Sequence, residues 1–215
     1  MNNTIISIDG PSGSGKERVA KYISKKYGFY HLDSGILYRR LSAKLLLKKI
    51  DFGDTNKINK FLQSLKSISY RKHKSLRNEE IGNKTSQIAA NPQVRKFINN
   101  QQRIAVSKLL QKNLGCVIDG RDIGSEVFKN AQLKLFINVN LEIRAKRRHK
   151  QLIEHGEKSI YSQILKDLKL RDITDKTRKN SPLTVPSNAV IIDNSNTFES
   201  TIIHIDQAIK ILIQF

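Results

Sequence analysis

The chain has 215 residues and carries 39 Lys and Arg against 19 Asp and Glu, a formal net charge of +20 that favours nucleic acid, an acidic surface or phosphorylated small molecules as partners. That length suffices for one domain with a real hydrophobic core and one or two small inserted subdomains. No segment approaches the roughly 20 apolar residues that cross a bilayer, and the start MNNTIISIDG lacks a charged region followed by a long apolar run. The single Cys116 excludes an internal disulfide, so a cytoplasmic protein without a membrane partner is expected.

Residues 4–9, TIISID, form a short β-branched run that ends at a glycine-rich turn. Beyond it Val19, Ala20, Tyr22, Ile23 and Tyr27 follow helical spacing, which predicts strand, glycine loop and helix in succession, with Gly28 ending the helix. FYHLDSG predicts a second strand whose Asp33 or Ser34 caps the next helix, ILYRRLSAKLLLKK. SISYR, residues 67–71, predicts a small strand, and the polar stretch KHKSLRNEEIGNK follows. A helix is predicted over NPQVRKFINNQQRIAVSKLLQK, with Pro92 near its first turn. CVIDG and LKLFINV predict buried strands, each followed by a helical or loop segment, and AVIIDNS predicts the last strand. Short strands alternating with helices imply an α/β fold, a parallel sheet with helices on both faces and functional loops at the carboxyl ends of the strands.

Gly10-Pro11-Ser12-Gly13-Ser14-Gly15-Lys16 has the spacing of a phosphate-binding loop between that first strand and helix. Its N–H groups can surround phosphate oxygens, and Lys16 adds a point charge near the β- and γ-phosphates. A Ser or Thr usually follows the lysine to hold magnesium, but Glu17 and Arg18 stand here. Glu17 suits a helix N-terminus yet sits close to incoming phosphate charge, which Arg18 can offset by reaching the α-phosphate.

In LDSGILYRR, Ser34 and a helix start can take an anion while Arg39 adds a charge-assisted fork. In VIDGRDIG, at the end of a buried strand, Asp119 and Asp122 are candidates to position magnesium or its waters, and Arg121 to hold a second phosphate. Arg144, Arg147 and Arg148 share a helical face, as do Arg171, Asp175 and Arg178 if their segment is helical. His31, His73, His149, His155 and His204 lack metal-ligand spacing, so no metal centre made by the protein is expected.

IDGPSGSGK, LDSGILYR, TSQIAANPQVR, DGRDIG and RDITDKTRKNSPL stand in the order and approximate spacing of bacterial cytidylate kinases, which the chain resembles nearly end to end. The resemblance implies a P-loop nucleoside monophosphate kinase fold, with a core over residues 1–38, 100–148 and 186–215, an NMP-binding subdomain over 39–99 and a lid over 149–185. It implies ATP with Mg2+ as donor and CMP or dCMP as acceptor, with UMP a weaker one. Ser34, Arg39 and Arg121 would then approach the CMP phosphate, with Tyr38 lining the pocket. Ser86, Arg95 and Asp122 would read the cytosine edge, which needs both an acceptor and donors. Arg171 and Asp175 would lie near the ribose and Arg178 near the phosphates; Arg144 and Arg148 join the loop residues on the ATP side. Lys16, Arg121, Asp122 and Arg178 are the expected catalytic set. The resemblance implies a monomer, and Gly156 and Pro182 are the expected hinge points of its lid.

Two features depart from that family: the missing hydroxyls at 17 and 18, and a segment between SISYR and EEIGNKTS too short for the family's small inserted sheet. The rival expectations are a P-loop kinase for another small acceptor, and an inactive P-loop protein that binds nucleic acid through its basic surface. The second lacks an aromatic-interleaved basic motif and leaves the acceptor-site residues unexplained, so nucleic acid is not the expected partner despite the charge.

Overall fold

The computed structural model of the protein describes residues 3–71, 73–77, 79–154 and 156–214. Strand β1 (Ile5–Asp9) is buried over four of its five residues, as a strand covered on both sheet faces should be. It lies at the centre of a five-stranded parallel sheet with β2 (Tyr30–Asp33), β3 (Cys116–Asp119), β4 (Leu133–Asn138) and β5 (Val190–Asp193), in the order β2-β3-β1-β4-β5. Ile6 is flanked by Val117 of β3 and Leu133 of β4. The chain crosses from one side of β1 to the other between β3 and β4, so the crevice at the carboxyl end of β1 is where a ligand site is expected in such sheets.

Helices α1 (Lys16–Tyr27), α2 (Ser34–Leu47), α3 (Thr55–Ser64), α4 (Glu79–Ile88), α5 (Pro92–Leu110), α6 (Leu141–Glu154), α7 (Tyr161–Thr177) and α8 (Phe198–Gln214) complete the described elements with a 3-10 turn at Lys74–Arg77 and one wide π-turn at Ile123–Val127. The expected ends are present: Gly28 N–H returns to Ser24 O at the end of α1, and Asn91 accepts from Gln93 and Val94 N–H with Pro92 in the first turn of α5. Of the two candidate caps for α2, Asp33 occupies the position but makes no side-chain capping bond, and the Ser34 hydroxyl goes elsewhere.

Apolar residues gather in separate clusters. Ile6, Ile8, Val19, Ile23, Leu135, Ile192 and Ile205 pack β1, β4 and β5 against α1 and α8. Leu32, Val106, Ile118 and Ile123 fill the space near α5 with Cys116, whose thiol burial pushes up to about 12. A cluster from Leu37 through Ile58, Ile81 and Ile98 unites α2 to α5, and Ala145, Leu152, Ile164 and Leu168 join α6 to α7.

The strand expected at Ser67–Arg71 is not formed. Ile68 is buried among helices and its N–H bonds the Gln101 side chain, so the alternating apolar residues serve helix packing and have no strand to pair with. Helices α3 and α4 occupy the region where no helix was expected; α3 is fixed by Asp54, which accepts from Lys57 N–H.

Candidate active site

The loop between β1 and α1 turns too tightly for side chains at two points. A Cβ on Gly10 would stand 2.3 Å from Ile137 O, and one on Gly15, at φ 88°, would stand 2.5 Å from Asn194 Nδ2. Lys16 folds back over this loop, donating to Pro11 O at 2.7 Å and to Ser14 Oγ at 3.3 Å. Burial, with Arg121 adding like charge, holds its ammonium well below the usual lysine range, and an anion entering the loop would favour the charged form. Glu17 pairs with Lys21 at 3.0 Å one helical turn on, and the Arg18 guanidinium stacks 3.8 Å from the Phe198 ring centre of α8. Arg18 is thereby directed to α8, and a contact with the α-phosphate would require it to leave that ring.

Beyond β3 the chain brings five predicted residues together. Arg95 and Asp122, 4% and 5% exposed, form a buried ion pair. Arg178 approaches the other oxygen of Asp122 at 4.0 Å and donates to Asp175 Oδ1 at 3.3 Å, while Arg121 Nε donates to Asp175 Oδ2 at 2.9 Å. Tyr38 lies beside this group with its ring centre 5.8 Å from the Arg95 guanidinium. Tyr38 Oη, Arg95 Nε and Arg178 Nη2 are buried and have no hydrogen-bond partner among the described residues. Buried orphans of this kind are rare, and three around one ion pair mark a place for a polar ligand. Ser34 reaches the same turn by donating to Asp119 O at 2.7 Å.

Other predicted residues line the approach. Arg39 donates to Leu76 O at 3.0 Å and Arg171 to Asn83 Oδ1 at 2.6 Å, and both guanidinium groups lie against Gly82 of α4. Ser86 donates to Gly82 O one turn back. Arg144 is 3% exposed and fully engaged: Nε donates to Val139 O, Nη1 to Ser12 O and to Asp172, and Nη2 to Asp172. It braces the glycine loop from behind. Arg148, next on that helix, is half-buried. A cavity of about 550 Å³ lies against Asp172, Ile173 and Lys176, on the face of α7 opposite to Arg171, Asp175 and Arg178.

Several residues at the site carried no sequence signal. Asp9 is fully buried and accepts the N–H groups of Ile123 at 2.8 Å and Gly124 at 2.7 Å, fixing the turn that bears Arg121 and Asp122. Burial pushes its carboxyl up to about 6 against the lowering effect of those two bonds. His31 Nε2 meets Asp119 Oδ1 at 2.6 Å, a partnership that helical or strand periodicity could not reveal. Of the other histidines, His149 bonds Ser159 and His73 bonds Ser75; His155 lies outside the described residues. Asn194, at the end of β5, donates to Ser14 O at 2.8 Å.

Among the described residues no three His, Cys, Asp or Glu side chains converge on one point. Asp9 is taken by two N–H groups, Asp122 by Arg95 and Asp119 by His31. This donor set fits a hard cation that arrives on phosphate oxygens and keeps its waters, with at most one carboxylate from the chain.

A glycine loop at the centre of a parallel sheet, facing an arginine-lined crevice bounded by a second basic helix, defines a P-loop phosphotransferase of the small-kinase class. A gluconokinase from Sinorhizobium meliloti shares the fold, with a TM-score of 0.50 at 13% identity over 99% of this chain and 97% of that one. A sugar kinase from a Janibacter species gives 0.51 at 9% identity over 96% and 94%. In sequence, the cytidylate kinase family model matches residues 6–212. The cytidylate kinase of Fusobacterium nucleatum is 36% identical, covering 98% of this chain and 99% of its own. That of Rickettsia felis is 39% identical, over 90% and 85%. The chain belongs to the cytidylate kinase family.

Proposed function

We propose that the protein transfers the γ-phosphoryl group of ATP to CMP or dCMP, giving ADP and CDP or dCDP in pyrimidine nucleotide metabolism. The observation that carries the acceptor assignment is the buried Arg95–Asp122 pair with its three orphaned polar atoms. Cytosine presents an amino donor beside ring acceptors, and this group offers a carboxylate beside unsatisfied N–H and O–H donors.

The acceptor phosphate is already anionic at neutral pH, so no general base is required and positioning with charge neutralisation carries the reaction. Arg39, Arg121 and Ser34 hold the acceptor phosphate, and Tyr38 and Ser86 line the base pocket. Arg171 and Asp175 face the ribose. Lys16 leaves Pro11 O for the transferring group, which Arg178 approaches from α7, while Gly10 to Gly15 cradle the remaining phosphates. Arg144 acts on the donor side through the loop it braces, and Arg148 faces the same side. Mg2+ carried on ATP would supply charge neutralisation of the donor phosphates. Asp119 or Asp122 would meet its water shell.

Residues 39–99 form the NMP-binding part and 149–185 the lid, which closes to exclude water and swings near Gly156 and Pro182. The separate apolar cluster of α2–α5 supports the NMP-binding part of this division, since it can move as a unit. Gly156, at φ 73° with open space around it, supports a pivot there. The protein acts as a monomer in the cytoplasm.

ADP release with ATP and Mg2+, compared across CMP, dCMP, UMP, AMP and no acceptor, tests this function. Turnover led by CMP is expected. Turnover led by another acceptor overturns the assignment. Failure to bind CMP, together with nucleic-acid binding that falls steeply with salt, points to a polyanion-binding protein instead.

A further inference from the structure

We infer that Asn194 is a positioning residue for the donor phosphates, acting through the peptide that joins Ser14 to Gly15. The inference rests on the kinase function proposed above. Asn194 is 4% exposed and donates from Nδ2 to Ser14 O at 2.8 Å, while its Oδ1 receives the Thr201 hydroxyl at 2.8 Å. In a trans peptide the C=O and the following N–H point in opposite directions. Holding Ser14 O on the Asn194 side therefore turns Gly15 N–H the other way, into the hollow of the loop. Arg144 does the same to the peptide two residues earlier by taking Ser12 O at 2.9 Å, which sets Gly13 N–H. The cradle is thus set from outside by side chains that need not touch the nucleotide.

The Asn194 turn is itself anchored. Its backbone N–H bonds Asn138 O at 2.9 Å, and Arg147 of α6 gathers three successive carbonyls, Asn194 O at 2.7 Å, Ser195 O at 3.2 Å and Asn196 O at 2.9 Å. Thr201, fully buried on α8, fixes which end of the amide faces the loop. A carboxamide is the fitting group here because it accepts from Thr201 and donates to Ser14 at once. A carboxylate of the same shape accepts only, and would repel the Ser14 carbonyl.

The test compares wild type with Asn194→Asp, Thr201→Val and Thr201→Ser, using calorimetric titration with ATP and separately with CMP, and thermal melting. Asn194→Asp is expected to raise the Kd of ATP about tenfold, the loss of one buried hydrogen bond. Thr201→Val acts in the same direction and less, and Thr201→Ser, which keeps the hydroxyl, restores the wild-type value. CMP affinity stays unchanged throughout. Unchanged ATP affinity in Asn194→Asp overturns the inference, as does a parallel loss of ATP and CMP binding that follows the melting temperature. Failure of the wild type to bind ATP overturns the kinase function and this inference together, whereas wild-type binding without a variant effect overturns the inference alone.

Discussion

Arg121, in the turn after β3, donates through Nε to Oδ2 of Asp175 on α7 at 2.9 Å, and the other oxygen of that carboxylate takes Arg178 at 3.3 Å. One carboxylate thus bridges two arginines proposed to meet phosphate, and it holds α7 against the turn. An acceptor phosphate entering between them competes with Asp175.

Asp175→Asn keeps the shape and removes the charge, so both guanidinium groups bind anions more readily. Inorganic phosphate is expected to bind the variant several-fold tighter, a gain on the order of 1 kcal/mol for a partly exposed pair. Cytidine, which has no phosphate, does not gain. Titration of both ligands checks this, and weaker phosphate binding in the variant refutes the competition.

Arg95→Met leaves Asp122 buried with Arg178 only at 4.0 Å. Removing one partner of a buried pair costs about 3–5 kcal/mol, whereas replacing both partners by apolar groups recovers most of it. Urea unfolding of Arg95→Met and of the double variant with Asp122→Leu measures the two values. The double variant is expected to regain stability and to lose CMP binding. Equal stability of the single variant and wild type would show the pair to be solvated.

Replacing Glu17 by Ser and Arg18 by Thr restores a hydroxyl after Lys16 and removes a carboxylate near the donor phosphates. Mg2+-dependent turnover is expected to rise. Loss of the Arg18 stack on Phe198 lowers stability by about 0.5–1 kcal/mol, the worth of an exposed cation–π contact. A fall in kcat at saturating ATP would show that Glu17 and Arg18 are adapted to this loop.

Asp9 binds its proton more tightly in the folded protein, with its pKa moved from 3.8 to about 6 by burial. The sign follows from linkage: between those values the folded state holds more protons than the unfolded chain, so this group adds stability as pH falls. Asp9→Asn carries no such titration. Wild type should therefore gain about 1.4 kcal/mol relative to the variant between pH 7 and pH 5. Urea unfolding at both pH values provides the comparison, and a relative loss by wild type contradicts it.

The sheet and the glycine loop were legible in the sequence because their signals are local: β-branched runs, a fixed glycine spacing and a helical period. The helices from α3 to α4 were not, since LKKIDFGDTNKINKF and NEEIGNK are mostly polar and their apolar positions become a face only against α2 and α5. Ser67–Arg71 misled for the opposite reason, as β-like alternation was used to bury Ile68 beside a helix. At the site, Arg95 and Asp122 stand together across 27 residues of chain, and motif order pointed to both. Asp9 and Asn194 act on segments 114 and 180 residues away, distances over which composition and periodicity carry no information.

The strand order has a consequence for how the chain acquires its shape. β1 ends at residue 9, yet both of its neighbours, β3 and β4, begin only at residues 116 and 133. On the ribosome β1 therefore emerges well before either partner, and cannot pair until the chain has been made as far as β3. Loop-closure entropy favours early formation of the α2–α5 helices, with the sheet closing around β1 late. Until then Ile5, Ile6 and Ile8 form a bare apolar run with no strand beside it, the kind of segment that invites association during folding.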